Sequence, residues 1–137
     1  VRDGGEVAER FFARVLADCE SADADLRFIA VPLREAVHEA REAAQWLLSA
    51  GKQDGDHLGA GSYAFLQLLG VLAVGWMWVR LAAAALPEAS DPFCAAKLAT
   101  ARHYALHALP QVSGLRRKVE AGAEVLMALA PEQFLRD

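Results

Sequence analysis

Apolar residues crowd one stretch of the chain and thin into stripes on either side of it. From Tyr63 to Leu86 the sequence reads YAFLQLLGVLAVGWMWVRLAAAAL, with only Gln67 and Arg80 breaking its apolar character. A helix of this composition is greasy on nearly every side, so other elements must surround it. Amphipathic stripes in the flanking segments predict those elements.

Upstream, Val7, Phe11, Val15 and Cys19 recur every four residues, with Ala8, Phe12 and Leu16 beside them. This spacing predicts a first helix over Glu6–Glu20. Ser21–Asp25 reads as a polar connection rich in N-cap residues. A second helix is predicted over Leu26–Ser49, its apolar line being Leu26, Ile29, Leu33, Ala36, Ala40, Ala43 and Leu47. Pro32 belongs either in its first turn or at a kink. Gly51–Gly61, GKQDGDHLGAG, reads as a flexible loop. It lacks the phosphate-loop spacing, and no strand precedes it. The central helix then runs over Tyr63–Leu86 and stops at Pro87.

Asp91-Pro92 is a strong helix start, an Asp N-cap followed by Pro at the first helical position. After it Cys94, Leu98, Ala101, Ala105, Ala108, Val112, Leu115, Val119, Gly122, Leu126 and Leu129 alternate steps of four and three. The phase survives Pro110, which predicts one long, kinked last helix, with a local break near Ser113-Gly114 as the main alternative. Ala130-Pro131 ends it, and Phe134 is expected to tuck back. The expected fold is all-α: an antiparallel four-helix bundle with a long, Pro-kinked last helix, occupying residues 1–137 as a single domain.

Composition narrows the functional classes. The 137 residues suit one domain, and 55% hydrophobic with 23% charged residues excludes disorder. A net charge of −4 with scattered charges argues against nucleic acid as a partner. Cys19 and Cys94 fit no zinc spacing and are expected to be buried free thiols, consistent with a reducing cytoplasm. The polar start VRDGGEVAER is no signal peptide. Val at position 1 suggests a piece of something longer. A membrane span through Tyr63–Leu86 is disfavoured by Arg80, the many small residues and the lack of flanking anchors.

Candidate chemistry is sparse. Glu35-Ala-Val-His38 has the E-x-x-H spacing of di-iron bundles, but those need two copies and two further carboxylates. His103 and His107 lie one turn apart without an accompanying inward carboxylate, so a solvated face is expected and no metal. Arg116-Arg117-Lys118 could meet an acidic partner or a CoA phosphate, although a solvated helix face is the simpler reading. No arrangement supports nucleophilic or acid–base catalysis. Trp76 and Trp78 point about 200° apart on a helix. One can enter the bundle while the other faces a partner, so Trp76, Trp78 and Arg80 form the candidate interface.

Two segments carry a resemblance: Phe65–Leu81, FLQLLGVLAVGWMWVRL, and Ala95–Gln111, AAKLATARHYALHALPQ. Ala121–Leu129, AGAEVLMAL, and the Pro131-Glu-Gln-Phe134 close extend the second. Together they resemble the C-terminal helical domain of a subgroup of bacterial acyl-CoA dehydrogenases that follows the flavin-binding body. His103 stands where that resemblance implies an aromatic beside Tyr104. It implies an enzyme that oxidises an acyl-CoA thioester at its α and β carbons, with FAD as hydride acceptor and a glutamate base. No position here matches the base or the FAD contacts. The expected role is therefore that of an accessory domain, inactive alone and binding no cofactor itself. Its expected partners are the upstream catalytic body or a second subunit. The alternative is a self-standing homodimeric interaction module burying the second tryptophan. Peripheral membrane association through the apolar helix is a third, weaker reading.

Overall fold

The structure, a computed structural model, describes residues 5–135 and is helical throughout, with no strand among the described residues. Helix α1 spans Glu6–Glu20 and helix α2 spans Arg27–Gln53, a 3₁₀ turn over Ala24–Leu26 leading into the second. Helix α3 covers Gly55–Ala85 and passes through a 3₁₀ turn, Leu86–Glu88, toward helix α4, Pro92–His107. Helix α5, Gln111–Glu120, follows, and a last 3₁₀ turn covers Pro131–Phe134.

The first helix forms as its stripe predicts, with Phe12, Val15 and Cys19 buried. In α2 the apolar line is buried almost residue for residue, from Ile29 and Leu33 through Ala36, Ala40 and Ala43 to Leu47. Pro32 lies past the first turn of α2. There it forfeits the backbone bond to the carbonyl four residues earlier.

The region expected to be a flexible loop is helical. Helix α2 runs on to Gln53, and Asp54 alone, in an extended conformation, separates it from α3. The Asp54 side chain caps α3 by accepting from the Asp56 N–H at 3.0 Å. Tertiary packing explains the glycines. A Cβ on Gly51 would lie 2.4 Å from Leu58, and one on Gly61 would lie 2.8 Å from Leu47 and 3.3 Å from the Val119 carbonyl. These glycines permit helix crossings where local propensity alone suggests a break.

The long last helix is divided instead. His107 ends α4, and the chain turns through Ala108–Pro110 before α5 begins. Proline lacks the N–H that continuation requires. The buried phase nevertheless carries across the break through Ala101, Ala105, Leu109, Val112 and Val119. Helix α5 ends at Glu120, nine residues short of the expected Leu129, and Gly122 takes a left-handed φ of +71°. That conformation favours glycine and terminates helices. Leu126, Leu129 and Phe134 are consequently exposed rather than in a stripe or tucked back.

Helix α3 is the shared element, touching each of the other four helices. Residues from all five helices join one apolar core, including Phe12, Leu33, Leu68, Ala101 and Val119. Three helices converge at Gly75, where a Cβ would meet Leu33 and Leu109 at 3.0 Å and Tyr104 at 3.4 Å. The Tyr104 hydroxyl donates to the Val71 carbonyl at 2.9 Å, tying α4 to the middle of α3.

Candidate functional site

The polar candidates are dispersed. Glu35 and His38 are exposed on α2. His103 and His107 are exposed on α4, with ring centroids 4.5 Å apart. No cluster of three or more metal-ligating side chains occurs among the described residues. The basic triplet is partly consumed by structure. Arg116 pairs with Glu42 on α2 and donates from Nε to Glu120 at 2.8 Å. The Glu120 hydrogen bond raises its pKa further, so the guanidinium stays charged and engaged. Ser113 donates to Glu39 at 2.7 Å in the same α2–α5 seam. Only Arg117 and Lys118 of the triplet are exposed.

The two thiols differ. Cys19 is buried, and burial pushes its pKa up to about 11. Cys94 is partly exposed at the start of α4, against the expectation that both are buried. Desolvation and the adjacent Asp91 carboxylate raise its pKa as well. Neither is an activated nucleophile.

Trp76 and Trp78 are both half-buried, each packing against the core with part of its surface left open. The Trp76 indole N–H donates to Asp18 on α1 at 2.6 Å, and its ring meets Phe11 edge-on at 6.0 Å. Arg80 lies over the Trp76 ring at 5.6 Å and borders a hollow shared with Asp18 and Asp23.

The open side of α3 lies elsewhere. Tyr63 and Leu66 are 70% and 67% exposed, while Val74, Met77 and Leu81 are 43–46% exposed. With exposed Gly70 they form one ridge along the helix, spaced by threes and fours. The segment Gly55–Glu88 is long and apolar enough to cross a bilayer, yet it is wrapped on its other sides by four helices. Just 33% of its most apolar stretch is buried, so the surrounding helices leave a hydrocarbon face uncovered. Sequence reading misses this ridge because α3 is apolar all round. Nothing in the pattern marks which line stays bare.

Beside the ridge, α1 and α3 splay into an open cleft of about 850 Å³. Its lining is aliphatic and aromatic apart from Ser62, including Phe11, Leu48, Phe65 and Leu69. A flavin dinucleotide or a CoA carries phosphates that require cationic or N–H donors. No lining residue is cationic, so the cleft does not fit either group.

A further residue escapes sequence reading. His57, in the stretch read as a loop, packs edge-on against Trp46 at 5.8 Å and accepts from the Ala123 N–H at 3.1 Å. It fastens the turn at Gly122 to the α2–α3 corner. An isolated His among glycines gives no signal of this.

Residues 11–130 match the family model described as acetyl-CoA dehydrogenase C-terminal like. The chain is also similar to 3-methylmercaptopropionyl-CoA dehydrogenase of Ruegeria pomeroyi, 33% identical over 136 residues. That alignment covers 93% of this chain and 23% of the relative, so the chain spans about a quarter of the relative's length. The match takes in most of α1 and all of α2 to α5, and on that basis the chain belongs to the acetyl-CoA dehydrogenase C-terminal-like family.

Proposed function

We propose that the chain is a C-terminal accessory domain of a longer, FAD-dependent acyl-CoA dehydrogenase of the cytoplasm. It supports the packing of the enzyme and does no chemistry itself. The observation that carries this reading is the bare apolar ridge of α3 on a chain whose family relative is about four times longer. A hydrocarbon face of this length is costly in water and is covered by protein in the assembled enzyme. The catalytic body or a second subunit supplies the cover, and the acyl-CoA meets the upstream body. The dispersal of the polar candidates supports a non-catalytic role. We read the architecture as an antiparallel four-helix bundle whose last member is broken into α4 and α5. The contacts of Leu47 with Gly61 and Leu33 with Gly75 support it, since the partners fall in descending order.

The test compares three proteins: the full-length polypeptide, a version truncated before this domain, and the domain alone. The full-length protein is expected to hold FAD, seen in its visible absorbance, and to reduce an artificial acceptor with an acyl-CoA. The domain alone is expected to do neither, and truncation is expected to reduce assembly mass or thermal stability. Acyl-CoA oxidation by the isolated domain, or a colourless and inactive full-length polypeptide, would refute the reading.

A further inference from the structure

We infer that α3 pairs with the α3 of a second copy, antiparallel and crossing at Gly70. This rests on the accessory-domain reading and names the partner that covers the ridge.

The first observation is Gly70 itself. Gly51, Gly61 and Gly75 each make room for a neighbour within the chain, whereas a Cβ on Gly70 would meet nothing within 4 Å. A mid-helix glycine weakens a helix relative to alanine. Gly70 lies in the interior of the longest helix, on its exposed line, with no compensating contact in this chain. A glycine on an apolar helix face allows a second backbone to approach closely.

The second observation is the spacing around it. Tyr63 and Leu66 lie seven and four residues before Gly70; Val74 and Met77 lie four and seven after it. These four positions are therefore symmetric about Gly70, while Leu81, eleven residues after it, mirrors onto Gly59 and lies outside the symmetric set. A two-fold axis through Gly70 sets Leu66 against Val74 of the other copy, and Tyr63 against Met77. Such self-complementarity is what an isologous interface requires and what an unrelated partner does not. No charged residue occurs between Tyr63 and Val79, so two copies meet without like-charge repulsion. Antiparallel helices also place opposite dipole ends side by side.

Disulfide trapping in the full-length polypeptide tests the pairing, in a background with Cys19→Ala and Cys94→Ser. Leu66→Cys and Val74→Cys chains are oxidised separately, and again after mixing and subunit exchange. A covalent dimer is expected in the mixture and in neither chain alone, because each position faces the other across the axis. Gly70→Leu supplies a second readout. Its Cβ meets nothing within 4 Å in one copy, and leucine favours helix over glycine, so helical circular dichroism is expected not to fall. Self-association by sedimentation is expected to weaken about tenfold or more. Equal linkage in all three samples, no linkage in the mixture, or a Val74→Cys link to another part of the longer polypeptide overturns the pairing. So does undiminished association of Gly70→Leu. A polypeptide that holds flavin and oxidises acyl-CoA without the 66–74 link loses only the pairing. One that links without flavin loses the dehydrogenase reading instead.

Discussion

Trp76 on α3 donates its indole N–H to the Asp18 carboxylate on α1 at 2.6 Å. A second polar tie on α1 is Glu9, which accepts from Arg41 on α2 at Nε, 3.0 Å away. Helix α1 is therefore pinned at both ends, to a different neighbour at each, while the apolar cleft opens between its body and α3. Asp18→Ala removes the pin on α3. We expect a loss of about 1–2 kcal/mol, since a hydrogen bond to a charged group is worth that order. Calorimetry should show the melting temperature falling by roughly 3–8 °C. Tryptophan emission should shift to the red as Trp76 gains water. An unchanged emission maximum would show that the bond does not hold α1.

Gly75→Ala should be destabilising by about 1–3 kcal/mol, the ordinary cost of overpacking a core. Its Cβ would sit 3.0 Å from both Leu33 and Leu109, side chains that are themselves fully enclosed. Gly55→Ala is the control, because its Cβ would enter open space. Denaturant midpoints should separate the two variants; equal midpoints would mean that the α2–α3–α4 junction yields without cost.

Cys19 makes stability depend on alkaline pH. Its pKa is raised from 9.0 to about 11 in the folded state by burial, and then by the negative charge of Asp18. Between these values the unfolded chain has lost the thiol proton and the folded chain still holds it. The folded state then binds more protons, so stability falls as pH rises through this window. The loss reaches up to about 3 kcal/mol above it. Urea titrations at pH 8 and pH 11 should show a steeper decline for the parent than for Cys19→Ala. Parallel declines would remove Cys19 from the account.

His57→Ala should free the turn at Gly122 with little global effect. The Ala123 N–H loses its acceptor, and its hydrogen exchange should accelerate by about tenfold or more through local opening. Global stability should change by no more than about 1 kcal/mol, as expected for one hydrogen bond at the periphery. Protection of Ala123 equal to that of the parent would show that the turn holds without the imidazole.

The residues announce some of this fold and conceal the rest for identifiable reasons. Helix α1 forms over the stretch its four-residue spacing predicts. Asp91 caps α4 as the Asp-Pro pair implies, its carboxylate accepting from Phe93 and Cys94 at 2.9 and 3.1 Å. The buried line of α2 is legible because charged residues contrast with it. Gly51 and Gly61 mislead because their smallness serves a crossing between helices distant along the chain. Leu126 and Leu129 mislead because apolar residues in phase carry no mark of where a helix stops. That mark is Gly122, which also fits the stripe. The ridge from Tyr63 to Leu81 is the least legible feature, since α3 has no polar face to set it off.

The corner at Asp54 has a kinetic consequence. One residue joins helices of 27 and 31 residues. Their contacts begin beside the corner, at Gly51 with Leu58, and move outward through Leu47–Gly61 to Leu33–Gly75. Each contact formed leaves only a short additional loop to close before the next, so the entropic cost is met in small steps. Such a hairpin zips from its corner, and low contact order makes that fast. Helix α1 and the broken pair α4–α5 then condense on a surface already laid down. Mutational φ-values should be high at Leu47 and low at Phe12; the reverse order would place the nucleus elsewhere.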